Sequence, residues 1–166
     1  MLWAIAAALS VSWLAARPAQ ASTPTPDGFW LPVGLELGAS MFPDRPGGFF
    51  VGGEASLVSY EAGPWAGVFV DGSWDFGAEQ LRHCIGPEIG FATVGIDGGY
   101  LGVLEDGTYR PGIAVRASGT LAFVAAYFRY GHVFAGAPAP DFAEVGFNFK
   151  FPIQLASRAP ASWPLP

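Results

Sequence analysis

The sequence predicts an all-β protein, an eight-stranded antiparallel up-and-down transmembrane β-barrel, and three observations carry that prediction. Apolar and polar residues alternate along eight segments, the polar face of each segment is rich in glycine as well as charge, and the connections alternate between longer and minimal. Apolar residues make up 51% of the 166-residue chain and charged ones 13%, about half of the ~25% usual for soluble domains. Beyond the N-terminus no stretch reaches the ~18 apolar residues that a spanning helix needs. High apolar content, broken at short intervals by small and polar residues, suits strands.

The chain is long enough for one domain. Residues 1–21 read as a secretory signal peptide: an apolar core from Leu2 to about Ala15, the helix breaker Pro18, then the small-x-small site Ala19-Gln20-Ala21. Residues 22–32 form a Pro-rich leader and 154–166 a Pro-rich tail, leaving the barrel to 33–153. The formal net charge is −6, and cleavage after Ala21 would remove Arg17 and no acid. An acidic chain without a Lys/Arg cluster is a poor nucleic-acid binder, and no nucleic-acid partner is expected. Cys84 is the sole cysteine, so no internal disulfide and no zinc ligand set is available; it is expected to be a structural thiol.

Taken in order, the predicted strands are about 33–42, 48–60, 65–76, 81–92, 94–104, 110–121, 123–134 and 142–153. The first sets Val33, Leu35, Leu37, Ala39 and Met41 against Gly34, Glu36, Gly38 and Ser40. The second sets Val51, Ala55 and Leu57 against Gly52, Glu54 and Ser56, and the fourth Ile85, Ile89 and Phe91 against Gly86, Glu88 and Gly90. Pro87 falls within the fourth, where a bulge near Gly86-Pro87 is expected to accommodate it. The sixth opposes Ile113, Val115 and Leu121 to Arg116, Ser118 and Thr120, and the seventh opposes Ala126, Phe128 and Tyr130 to Tyr127, Arg129 and Gly131. In the eighth, Val145, Phe147, Phe149 and Phe151 oppose Glu144, Gly146, Asn148 and Lys150. Odd-numbered connections ("PDRPGG", "GAEQ", "EDGTYR", "AGAPAPD") read as longer than even-numbered ones, the segregation by end that outer-membrane barrels display.

Solvent does not select for absent side chains, so a face both charged and glycine-rich is better explained as a crowded interior. An eight-stranded lumen is just wide enough for side chains to fill it, and glycines make room for a few long ones. The bulky face then meets lipid. Phe49, Trp74, Phe76, Tyr109 and Phe134 fall near the outer ends and Phe91, Phe123 and Phe151 near the periplasmic ends, as two aromatic girdles.

Two-residue hairpins at the even connections would set Glu54 opposite Asp71, Glu88 opposite Asp97 and Arg116 opposite Arg129. Like charges face to face repel. The expected arrangement is therefore a lumen network of Glu36, Glu54, Asp71, Glu88, Asp97, Arg116, Arg129, Glu144 and Lys150. In it the arginines sit between Asp97, Glu88 and Glu144, and Lys150 lies near Glu36. Acids outnumber bases, which makes Glu54 and Asp71 the candidates to hold a proton, cation or water.

No catalytic site, metal site or cofactor is expected. His83 and His132 lie near the outer rim on the outward face, on opposite sides of the barrel, with no Ser beside them and no carboxylate placed to orient them. Gly-rich segments such as "DGGYLG" precede no helix and are not phosphate loops.

Over residues 33–153 the chain resembles the small eight-stranded outer-membrane barrels of OmpA/OmpX-type architecture, in pattern instead of motif. Its "VGFNFKF" is similar to the aromatic last strand through which such proteins are recognised for insertion. The resemblance implies export to the outer membrane of a Gram-negative bacterium, outer-membrane lipid and the barrel-insertion machinery as partners, a monomer, and a structural or surface-interaction role without catalysis. A narrow ion or small-solute channel, or a soluble periplasmic ligand-binding barrel, is the alternative.

Overall fold

Eight strands close on themselves in sequence order. The computed structural model describes residues 27–61, 63–134 and 141–157, so the expected signal peptide and the end of the Pro-rich tail lie outside the described residues. The strands are β1 (Gly28–Met41), β2 (Phe49–Tyr60), β3 (Pro64–Asp75), β4 (Gln80–Phe91), β5 (Val94–Glu105), β6 (Thr108–Leu121), β7 (Val124–Val133) and β8 (Phe142–Ser157). Each pairs antiparallel with its neighbours, and β8 returns to β1 to complete the barrel.

The register follows the hairpin arithmetic: Glu54 pairs with Asp71, Glu88 with Asp97 and Arg116 with Arg129. Side chains alternate accordingly. Glu36, Glu54, Arg82, Arg116, Arg129 and Glu144 are buried, whereas Phe91, Phe123, Phe147 and Phe151 are exposed. Charge inside and phenylalanine outside is the inverse of a soluble domain.

Three local expectations are corrected. The first and last strands are longer than their prolines suggested: β1 starts at Gly28, inside the expected leader, and β8 runs to Ser157, inside the expected tail. Pro32 faces Pro152 across the β1–β8 ladder. The Lys150 amide donates to Phe123 O, so two residues on, the ring nitrogen of Pro152 points to the same side, beyond the end of β7, where no donor is required.

The fifth connection is not long. Asp106-Gly107 alone joins β5 to β6, both with positive φ (49° and 73°), the signature of a tight type I′ turn. Loop length is therefore segregated at the first, third and seventh connections but not at the fifth.

Pro87 creates no bulge. The β4–β5 register is the same on either side of it, from Ile85↔Tyr100 to Glu88↔Asp97. Close backbone approach at glycines accommodates it: a Cβ at Gly86 would lie 2.1 Å from Gly98 O, and one at Gly99 would lie 2.0 Å from Ile85 O.

The interior is not ionic throughout. Phe69, Cys84, Leu101, Val103, Ala114, Val133 and Phe142, from β3 to β8, form a buried apolar cluster.

Candidate functional site

The alternation of all eight strands sends charged side chains to the axis, and two arginines organise them. Arg116 donates from Nε to Asp97 Oδ2 (2.7 Å) and from Nη1 to Glu36 Oε1 (2.7 Å) and to Glu54. Arg129 donates to Glu144 Oε2 (3.3 Å) and to Asp71, and stands 3.9 Å from Glu36. Each guanidinium also lies over the Tyr127 ring, at 5.3 and 5.6 Å from its centroid. A desolvated cation over an aromatic face adds attraction on the order of 2 kcal/mol. A guanidinium presents five donors in a fixed fork, which is why one arginine can span carboxylates from three strands.

The members of the expected network thus share one interior, with partners rearranged. Lys150 pairs with Glu54, not Glu36. Glu88 is bonded to neither arginine, and its Oε1 is buried without a hydrogen-bond partner. Glu54 holds both Arg116 and Lys150, and Asp71 holds Arg129, so these two are among the best-compensated acids of the lumen. The under-compensated oxygens are Glu36 Oε2 and Glu88 Oε1.

A second ionic layer escaped the sequence reading. Arg82 Nη2 sits 3.0 Å from Asp75 Oδ2 and 2.8 Å from Glu144 Oε1, with its guanidinium over Phe142 (4.8 Å) and Phe50 (5.4 Å). Ser40 bonds Asp75, whose other oxygen accepts the Gly77 and Ala78 amides at 2.9 and 3.0 Å. The parity that placed Glu36, Ser40, Asp71 and Glu88 inside also applies to Asp75 and Arg82. Extending it to the ends of the third and fourth strands would have found these two.

Side chains of the described residues reach into both mouths. At the long-loop end Arg45, from the first connection, reaches Glu105 and Gln80, and Arg110 joins Glu105 at 3.1 Å. At the other end Trp65 turns inward over glycines: a Cβ at Gly90 or Gly95 would lie 2.2 or 2.6 Å from its indole. Glu36, Glu54 and Asp71 bring oxygens within 4.8 Å of one another, a spacing open to a cation. Arg116 Nη1 already occupies that cradle, 2.7 Å from Glu36 and 3.9 Å from Asp71. The guanidinium is the cation.

On the outer surface the eight expected girdle residues, Phe49, Trp74, Phe76, Phe91, Tyr109, Phe123, Phe134 and Phe151, are all exposed. Phe151 alone is not at a strand end, since β8 continues six residues beyond it. The histidines need a correction. Asp141 Oδ1 lies 2.7 Å from His132 Nδ1, and Asp141 Oδ2 accepts the Tyr130 hydroxyl at 2.7 Å, so a carboxylate does orient one of them. The signal was weak because Asp141 lies outside the paired strands. His83 contacts the hydroxyl of Tyr109 at 3.3 Å, which in turn bonds Tyr100 at 2.8 Å. Among the described residues neither histidine is hydrogen-bonded to a serine or cysteine.

No protein-family model and no curated protein matches the sequence. Among solved structures the chain is similar to the crystal structure of Neisserial surface protein A (NspA), with a TM-score of 0.50 and 14% identity over 75% of this chain and 97% of that one. The fold is that of a small eight-stranded outer-membrane barrel. At this level of identity the likeness extends to strand number, closure and antiparallel order, and to no individual side chain.

Proposed function

We propose that the protein is an integral outer-membrane barrel whose lumen is closed by its own charge network, serving a structural or surface-interaction role without catalysis. One observation carries this reading: a contiguous belt of exposed Leu, Val, Ile and Phe surrounds an ionic interior. Water would penalise that belt and acyl chains would not. Strands of 10–16 residues suit the crossing, since about 10 tilted residues span the ~25 Å apolar band of such barrels. Export through the signal peptide, delivery by the barrel-insertion machinery and a monomeric state accompany the proposal.

Closure instead of conduction is supported by the side chains that reach into both mouths and by the burial of Arg82, Arg116 and Arg129. The test is reconstitution. The folded protein is expected to resist carbonate extraction, to shift in SDS gels on heating, and to leave planar bilayers electrically silent. Steady unit conductance of the wild type would replace the plug by a narrow cation path. Release by carbonate would remove the membrane reading altogether.

A further inference from the structure

We propose that the outer rim between β7, β8 and β1 binds one phosphate-bearing lipid of the surrounding leaflet, its acyl chain in a dip over Ala143 and its head group at His132 Nε2. The inference rests on the membrane reading above and names a particular lipid position on the barrel.

Tyr130, Ala143 and Met41 form one rung across three strands, Ala143 pairing with Tyr130 on one side and Met41 on the other. All three continue the outward rows that carry Phe128, Val145 and Ala39. A methyl group between a phenol and a thioether leaves a depression, part of an open groove of about 250 Å³ that Phe42, Pro43, Asp141 and Phe142 also line. That is below the roughly 300–1,000 Å³ of a drug-sized site but fits a segment of hydrocarbon chain. Because the rung lies in the apolar belt, the neighbour that reaches this groove is an acyl chain and not a solute.

The upper margin of the same groove is polar. Asp141 uses one oxygen for the Tyr130 hydroxyl and the other for His132 Nδ1, both at 2.7 Å, and the imidazole stands edge-on to Phe134 with centroids 5.5 Å apart. Nδ1 is held by Asp141, and among the described residues none is hydrogen-bonded to Nε2, the nitrogen that faces a ligand. Where both ring nitrogens carry protons, the one not held by Asp141 offers that ligand a charge-assisted donor, the kind that suits a phosphate oxygen. Chain groove and donor are adjacent through Asp141, which belongs to both.

Native mass spectrometry of the full-length protein in a non-ionic detergent, titrated with a phosphatidylglycerol and with the diacylglycerol of the same chains, tests the assignment. The wild type is expected to hold one equivalent of phosphatidylglycerol. Ala143→Leu, which fills the dip and leaves the polar groups alone, should weaken both lipids at least tenfold. Ala143→Val is the smaller replacement should the leucine variant fail to insert. His132→Gln should weaken phosphatidylglycerol about tenfold and leave diacylglycerol unchanged.

A heat-modifiable, membrane-embedded wild type that holds no lipid, or an Ala143→Leu variant that holds it equally well, overturns the site. Equal loss of both lipids in His132→Gln overturns the head-group assignment. Neither result touches the membrane reading, which fails only if the wild type washes from the membrane.

Discussion

Single residues carry strain and polarity that the alternation does not reveal. Ala92 and Ala122 open the two shortest turns at the Trp65 end with φ of 50° and 55°, a conformation that a β-carbon opposes by about 1–2 kcal/mol. Replacing either by glycine removes the clash at some cost in unfolded-chain entropy. Ala92→Gly and Ala122→Gly are each expected to stabilise the barrel by about 0.5–1 kcal/mol in urea titrations from lipid vesicles. Unchanged or lowered midpoints would mean the turns relax at no cost. At the opposite rim, the hydrogen bond from Tyr130 and then that from His132 hold the Asp141 carboxyl below the ordinary aspartate range. Such a group adds stability above its unfolded pKa and loses it as pH falls through the lower folded value. The Asp141–Tyr130–His132 contact should therefore survive mild acid. Carbon-13 titration of Asp141 should show a depressed pKa that rises in Tyr130→Phe; an ordinary value in the wild type would contradict the geometry.

At the scale of elements, glycine placement decides whether two strands can meet. β4 carries a proline in mid-strand and still pairs in unbroken register because Gly86 and Gly99 let the backbones approach. Gly99→Ala would press a β-carbon against Ile85 O, a backbone atom that cannot swing away. The expected outcome is loss of the folded, heat-modifiable species or a cost of about 3 kcal/mol, while Gly107→Ala, which meets nothing within 4 Å, acts only through its turn φ of 73°. A Gly99→Ala barrel as stable as wild type would show that β4 and β5 separate at no cost. The proline in β4, taken alone, argued for a bulge. The remedy lay on the neighbouring strand, which a reading along one segment does not reach.

For the whole molecule the governing quantity is charge compensation in a closed space. Among the described residues the interior holds Glu36, Glu54, Asp71, Asp75, Glu88, Asp97 and Glu144 against Arg82, Arg116, Arg129 and Lys150. Removing a cation strands acids: Arg129→Ala leaves Asp71 and Glu144 facing each other's field and should cost about 3–5 kcal/mol. Removing a surplus acid has the opposite sense. Glu36→Gln keeps the shape and lowers the imbalance, and should fall within about 1 kcal/mol of wild type or stabilise. Both are read from urea midpoints in vesicles. Equal, large losses for the two variants would mean that the acids are individually matched and that no surplus exists.

Strand number, face parity and the register at the even-numbered connections were determined by the sequence alone, because a strand has a strict period of two and a two-residue hairpin leaves only one alignment. That is why Glu54↔Asp71 and Arg116↔Arg129 could be read from spacing. Only the tertiary structure decided which cation each acid keeps, since Arg116 reaches Glu36 and Glu54 across the lumen from strands far apart in the chain. It also decided that Asp141 orients His132 and that Pro32 lies within a strand. Those outcomes depend on barrel closure, which sets distances between strands that no local pattern encodes.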